Sequence, residues 1–218
     1  MNYKEGYKSQ LKKNLKSVLT EIETKDMEVK ISNWAGKFGY SFEEVKQKIL
    51  NDEMFRCIFA KDPAKQNLYQ NLASSFIKSL DLVQNFKVLP SGGKDAIYLT
   101  NGKIFKGELL KNQAKDIKSV DFTWECKGFT FYVSHKYTEI SGGAQDNQYK
   151  DIQDFLLHTR DCNSKNTIFL AICDGDYYLQ RDTKTGDETK IKRLQRLTDN
   201  KTSFALNIND LKAFLQKI

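Results

Sequence analysis

The run Ser119-Val120-Asp121-Phe122-Thr123-Trp124-Glu125-Cys126-Lys127-Gly128-Phe129-Thr130-Phe131-Tyr132-Val133-Ser134-His135-Lys136 alternates polar and large apolar residues on both sides of Lys127-Gly128. A period of two is that of a half-buried β-strand, and Lys-Gly between two such runs fits a two-residue turn with glycine at positive φ. Cys126 then faces Phe129, and stepping back along both strands puts Asp121 opposite Ser134. Asp121, Thr123 and Glu125 share one face with Thr130, Tyr132, Ser134 and Lys136, while Phe122, Trp124, Phe131 and Val133 take the other. A carboxylate and an ammonium thereby come roughly 5 to 7 Å apart on neighbouring strands.

Toward the C-terminus, residues 143–160 carry Tyr149, Ile152, Phe155 and Leu156 at helical spacing. Ile168–Cys173 is an unbroken apolar run, as expected of a central strand covered on both faces. A strand, a helix and a buried strand in that order predict a parallel pair joined by a right-handed crossover. Tyr177–Gln180 reads as a further strand, 182–196 as a basic loop, and Phe204 as the centre of a last strand before a helix capped at Asn207 or Asn209.

Toward the N-terminus, Asn101-Gly102 between Ala96–Leu99 and Lys103–Phe105 is a strong hairpin signal, and Pro90-Ser91-Gly92-Gly93 marks a change of texture. Before it the chain reads as helices. Leu11, Leu15, Val18, Leu19 and Ile22 recur at helical spacing, and Ser41-Phe42-Glu43-Glu44 is a capping box ahead of Val45 and Ile49. Asp62-Pro63 starts another helix with Leu68, Leu72, Phe76 and Leu80 on its inner face. The expectation is an α/β protein whose mixed central sheet is flanked by helices. A helical N-terminal region over 1–85 covers the sheet or serves recognition, and 86–218 forms the α/β core.

Lysine and arginine outnumber aspartate and glutamate by 35 to 28, a formal charge of +7. That excess suits a polyanionic partner, since each cation set against a phosphate releases condensed counterions. Cys57, Cys126, Cys162 and Cys173 are scattered and only two histidines are present, which argues against a zinc site. No apolar stretch has the length of a signal or a membrane span, so a cytoplasmic protein with reduced thiols and no membrane contact is expected.

Asp121 and Lys136 suit phosphodiester hydrolysis. A carboxylate binds a hard divalent cation through oxygen, and an adjacent lysine orients the attacking water or offsets transition-state charge. The plain alternative is a cross-strand ion pair on a solvated face. Val120-Asp121, then Ser134-His135-Lys136, then Ser141-Gly142-Gly143-Ala144-Gln145-Asp146-Asn147-Gln148 opening a helix, then the buried strand, resembles the PD-(D/E)XK nuclease superfamily, which includes most type II restriction endonucleases. The resemblance spans roughly residues 90–180 and implies a restriction-endonuclease-like core, Mg²⁺ as cofactor, double-stranded DNA as partner and a homodimer. It departs from the family at Ser134, where an acid is usual, and Asp151 or Asp154 on the next helix could supply one.

The resemblance assigns Asp121, Ser134, Lys136 and Glu125 to catalysis, and Asp121, Asp151 and the carbonyl of His135 to metal; the His135 ring points away from the site face. A rival set is Asp95 with Glu125-Cys126-Lys127, a literal E-x-K, but Glu125 would stand at the hairpin tip, about 13 Å along the strand from Asp121. Gln145, Asn147 and Gln148 could read base edges or merely cap their helix. Lys94, Lys184, Lys190, Lys192, Arg193 and Arg196 suit backbone phosphates or a solvated surface. The function expected is a metal-dependent endonuclease of the type II restriction kind. The alternatives are a structure-specific or repair nuclease, and a non-catalytic nucleic-acid-binding relative, which Ser134 would favour.

Overall fold

The computed structural model describes residues 1–108, 117–139, 143–160, 162, 164–181, 186 and 188–218, with 143–145 described by their backbone alone. The chain divides into two compact units, Asn2–Leu72 and Ala73–Ile218, and no helix among the described residues is long and apolar enough to cross a membrane.

The first unit is helical. Helices α1 (Tyr3–Glu21), α2 (Lys25–Phe38), α3 (Phe42–Asn51) and α4 (Glu53–Arg56) are followed by a 3₁₀ turn (Pro63–Gln66) and the start of α5 (Leu68–Lys78). Thr24 caps α2, and the Ser41–Glu44 capping box of α3 closes both ways, Ser41 N–H donating to the Glu44 carboxylate at 2.8 Å. Val18 and Ile22 of α1, Met27, Ile31 and Ala35 of α2, Val45 and Ile49 of α3, and Phe59 form one apolar core. Asp62-Pro63 opens only the 3₁₀ turn; Asn67, at φ 54°, breaks the chain before α5. The stripe that α5 buries is Leu68, Ala73 and Ile77, whereas Leu72, Phe76 and Leu80 are half-buried.

The second unit is a mixed α/β structure. Strand β1 (Gln84–Val88) precedes a hairpin of β2 (Ile97–Thr100) and β3 (Lys103–Lys106), then β4 (Lys118–Ser119), β5 (Phe122–Cys126) and β6 (Phe129–Tyr137). After α6 (Gly143–His158) come β7 (Thr167–Asp174), α7 (Asp176–Leu179), α8 (Lys190–Gln195), β8 (Ser203–Leu206) and α9 (Leu211–Lys217). The main sheet runs β1-β5-β6-β7-β8, with β1, β5 and β6 antiparallel and β6, β7 and β8 parallel; a smaller sheet runs β3-β2-β4.

Every residue of β7 is buried, as a central strand requires. Both hairpin turns form at the expected pairs, with Asn101 and Gly102 at φ 44° and 70° and Lys127 and Gly128 at 48° and 82°. Such paired positive φ values match the twist of the flanking strands. Ile152, Phe155 and Leu156 of α6 pack on Phe169, Ala171 and Cys173 of β7, with Tyr132 of β6 beside them.

Three readings of the sequence are corrected here. Residues 84–88, into which the helical reading of 1–85 extended, are a largely exposed edge strand paired with β5. Tyr177 and Tyr178 are buried in the short helix α7 rather than in a strand. The described part of the basic loop holds helix α8.

Candidate functional site

The site lies at the open end of the β5–β6 hairpin, away from its turn. The ladder pairs Phe122 with Val133 through Cys126 with Phe129, in the expected register. Asp121 departs from it, because its N–H donates to Val133 O at 2.8 Å although Val133 already stands opposite Phe122. Two residues of one strand set against one of the other is a β-bulge, a device that bends a strand and re-aims a side chain. Asp121 therefore does not face Ser134 squarely. Its carboxylate turns toward β6, and Oδ2 accepts the His135 N–H at 2.8 Å.

Lys136 is one residue further along β6, and its Nζ stands 3.9 Å from Asp151 Oδ2 of α6. Asp151 Oδ1 also lies 3.2 Å from Lys118 Nζ of β4, and Asp154 Oδ2 lies 2.9 Å from the same ammonium. Burial disfavours the charge on Lys118, but Asp154 and Asp151 outweigh it and hold its pKa above the ordinary lysine value. Strands β4 and β6 and helix α6 thus bring Lys118, Lys136, Asp151 and Asp154 together, and Asp121 is tied to the backbone beside Lys136. Lys118 was missed by the sequence reading: at the end of a polar stretch, nothing marks it until β4 pairs with β2.

Ser134 is buried within β6. His135 turns its ring to the opposite face, where Nε2 is 3.2 Å from Asp174 Oδ2 and the other Asp174 oxygen accepts the Ile208 N–H at 2.8 Å. The imidazole is therefore a structural partner of β7 and takes no part in the site. Glu125 is also removed from it, since at the hairpin tip its carboxylate accepts from Asn85 Nδ2 at 2.7 Å. Lys127 donates to the carbonyls of Gln216 and Ile218, both at 2.9 Å. Asp95 is exposed ahead of β2 in the smaller sheet, so the rival Asp95, Glu125 and Lys127 are not assembled as a set.

Among the candidate nucleic-acid contacts, Gln148 is half-buried and its Oε1 accepts from Thr138 Oγ1 at 2.6 Å, whereas Asn147 and Lys94 are exposed. Lys192 and Arg196 line an open groove of about 770 Å³ with Phe204 and Phe214, and Arg196 pairs there with Glu188 at 3.1 Å. Arg193 is half-buried. The Gln145 side chain and Lys184 lie outside the described residues.

Asp121 and Asp151 offer the hard oxygen donors that Mg²⁺ takes, and this ion commonly needs only one or two protein carboxylates beside substrate phosphate. The donor chemistry therefore fits magnesium. Among the described residues, no three His, Cys, Asp or Glu side chains stand together as a ready-made metal cage.

No protein-family model and no curated protein matches the sequence. Among solved structures, the chain is similar to protein VC1899 from Vibrio cholerae, with a TM-score of 0.34 and 10% identity over 99% of this chain and 51% of that one. The chain thus spans about half the length of that protein. So low a score leaves fold and function to be argued from this chain's own residues.

Proposed function

We propose that this chain is a magnesium-dependent endonuclease that hydrolyses double-stranded DNA, of the type II restriction kind, on a PD-(D/E)XK-like core. The observation that carries the reading is that Lys136 Nζ stands 3.9 Å from Asp151 of the following helix, while Asp121 is bound to the N–H of His135, the residue before Lys136. Asp151 supplies from α6 the acid that Ser134 does not. The bond from His135 N–H fixes the Asp121 carboxylate, and the role of Lys136 in this reading is to offset the charge that a phosphate oxygen gains in the transition state. Magnesium held by Asp121 and Asp151 would polarise the phosphate and lower the pKa of a bound water. Two subunits related by a twofold axis would cut the two antiparallel strands, which is the argument for a homodimer. The excess of positive charge supports a polyanionic substrate.

A second reading, a DNA-binding relative that does not cut, is favoured by one observation. Lys118 already neutralises Asp151 and Asp154, at 3.2 and 2.9 Å. Supercoiled plasmid incubated with the protein and Mg²⁺ separates these readings. Discrete fragments that vanish with chelator are the expected result, and random degradation would point to a repair-type nuclease. Retarded but intact plasmid at every Mg²⁺ concentration would overturn the hydrolytic reading.

A further inference from the structure

We propose that α2 and α3 form a helix-turn-helix that reads double-stranded DNA, with α3 lying in the major groove. The proposal shares the DNA partner of the hydrolytic reading but rests on a different set of residues, in the other unit of the chain.

The turn comes first. Helix α2 ends at Phe38, Gly39 takes the left-handed conformation at φ 74°, and the N–H groups of Gly39 and Tyr40 both return to Ala35 O. Ser41 then caps α3, so only Gly39, Tyr40 and Ser41 separate the helices. A three-residue turn containing glycine is the connection of a helix-turn-helix. The core agrees with it. Ala35, nearly fully buried, presents only a methyl group toward the same cluster as Val45 and Ile49, and Val18 and Ile22 of α1 complete a three-helix core.

Because Val45 and Ile49 face inward, the helical repeat turns Glu43, Gln47 and Asn51 outward, and all three are exposed. Asn51 Nδ2 donates to Gln47 Oε1 at 3.4 Å, which sets the two amides side by side. Gln and Asn amides can bond the N6 and N7 edge of adenine, and a carboxylate such as Glu43 can accept from cytosine N4. Lys37 at the end of α2 and Lys48 on α3 are exposed and suit the flanking phosphates. Lys46 is committed elsewhere, to Glu23 at 2.9 Å. The B-form major groove admits an α-helix, whereas the deep, narrow major groove of A-form RNA does not, which selects duplex DNA. The exposed rings Phe38 and Tyr40 pack on Trp34 at the turn, Phe38 tilted and Tyr40 stacked, and do not occupy the outward stripe.

The test uses the full chain carrying Asp121→Asn, so that bound DNA survives, against a random-sequence duplex pool with sequencing of what is retained. A short motif of a few base pairs should emerge. Adding Gln47→Ala and Asn51→Ala should erase it, lowering affinity for the selected duplex by about tenfold or more. These side chains are on the surface, so circular dichroism should show an unchanged fold. Lys48→Ala should weaken all duplexes alike. Absence of any motif, a motif unchanged by the double substitution, or equal binding of RNA or single strands would overturn the proposal. An unchanged motif in a Gln47→Ala/Asn51→Ala protein that still cuts plasmid, with Asp121 restored, removes the helix assignment and leaves the hydrolytic reading. A motif lost in a protein that never cuts does the reverse.

Discussion

The β5–β6 hairpin carries an acid and a lysine at each end, and the two ends are held in different ways. At the tip, Glu125 and Lys127 spell the more familiar tripeptide, yet each is bound to a neighbour that holds the fold: Glu125 to Asn85 of β1, and Lys127 to the last carbonyls of the chain. At the open end, Asp121 and Lys136 are fifteen positions apart in sequence and spell nothing by themselves. A bulge binds Asp121 to the His135 N–H beside Lys136, and the following helix sets Asp151 3.9 Å from Lys136 Nζ. Adjacency in sequence and adjacency in a site are separate properties in a sheet, because side chains that meet come from neighbouring strands.

The largest expected effect is on cleavage. Lys136→Ala should lower it by about 10³-fold, while Lys127→Ala should stay within about twofold; quantitative plasmid nicking measures both. Equal losses from the two would erase the distinction between the ends. The next effect is on stability. Gly175 closes the open end from β7 at φ 96°, where an added Cβ would lie 2.1 Å from Thr138 O. Gly175→Ala should cost about 2 to 4 kcal/mol in urea unfolding, from the clash and the positive φ together. A change below about 0.5 kcal/mol would show that this close approach is not needed.

The smallest effect concerns Lys118. Its pKa in the folded protein is raised, so its contribution to stability is complete below the ordinary lysine value and is lost as pH rises through the folded value. The loss should therefore appear only above about pH 10.5 and, for a partly exposed group, amount to about 1 kcal/mol or less. Lys118→Met should flatten that part of the stability-against-pH curve. A curve of unchanged shape would mean that the two helix acids do not hold the ammonium.

Much of the second unit was legible in the sequence. The alternation around Lys127-Gly128 gave the hairpin register, and the unbroken apolar run gave β7, because period and apolarity are local records of burial. What escaped was set by tertiary context. Strand β1 is short and mostly exposed, and Phe86 and Val88 alone make too brief an alternation to mark it. Tyr177 and Tyr178 are β-favouring residues held in a helical turn by burial on both sides of the chain. At the site, Asp121, Lys136 and Asp151 were readable as candidates, but the bulge that turns Asp121 toward His135 N–H, and Lys118 from a two-residue strand, were not. In the first unit the capping box at Ser41 was visible, whereas the Ala35, Gly39 and Val45 spacing across the turn gains its meaning only once the three helices share a core.

The measurement closest to the central claim is the single-turnover rate of plasmid cleavage at saturating Mg²⁺, with Asp121→Asn and Glu125→Gln assayed side by side. The exchange at Asp121 keeps shape and removes charge, so that variant should lose about 10³-fold or more while still binding DNA, and Glu125→Gln should cut at nearly the rate of the unmodified chain. Loss of cleavage in Glu125→Gln with Asp121→Asn still active would contradict the account, since the reaction would then be carried by the tip of the hairpin rather than by its open end.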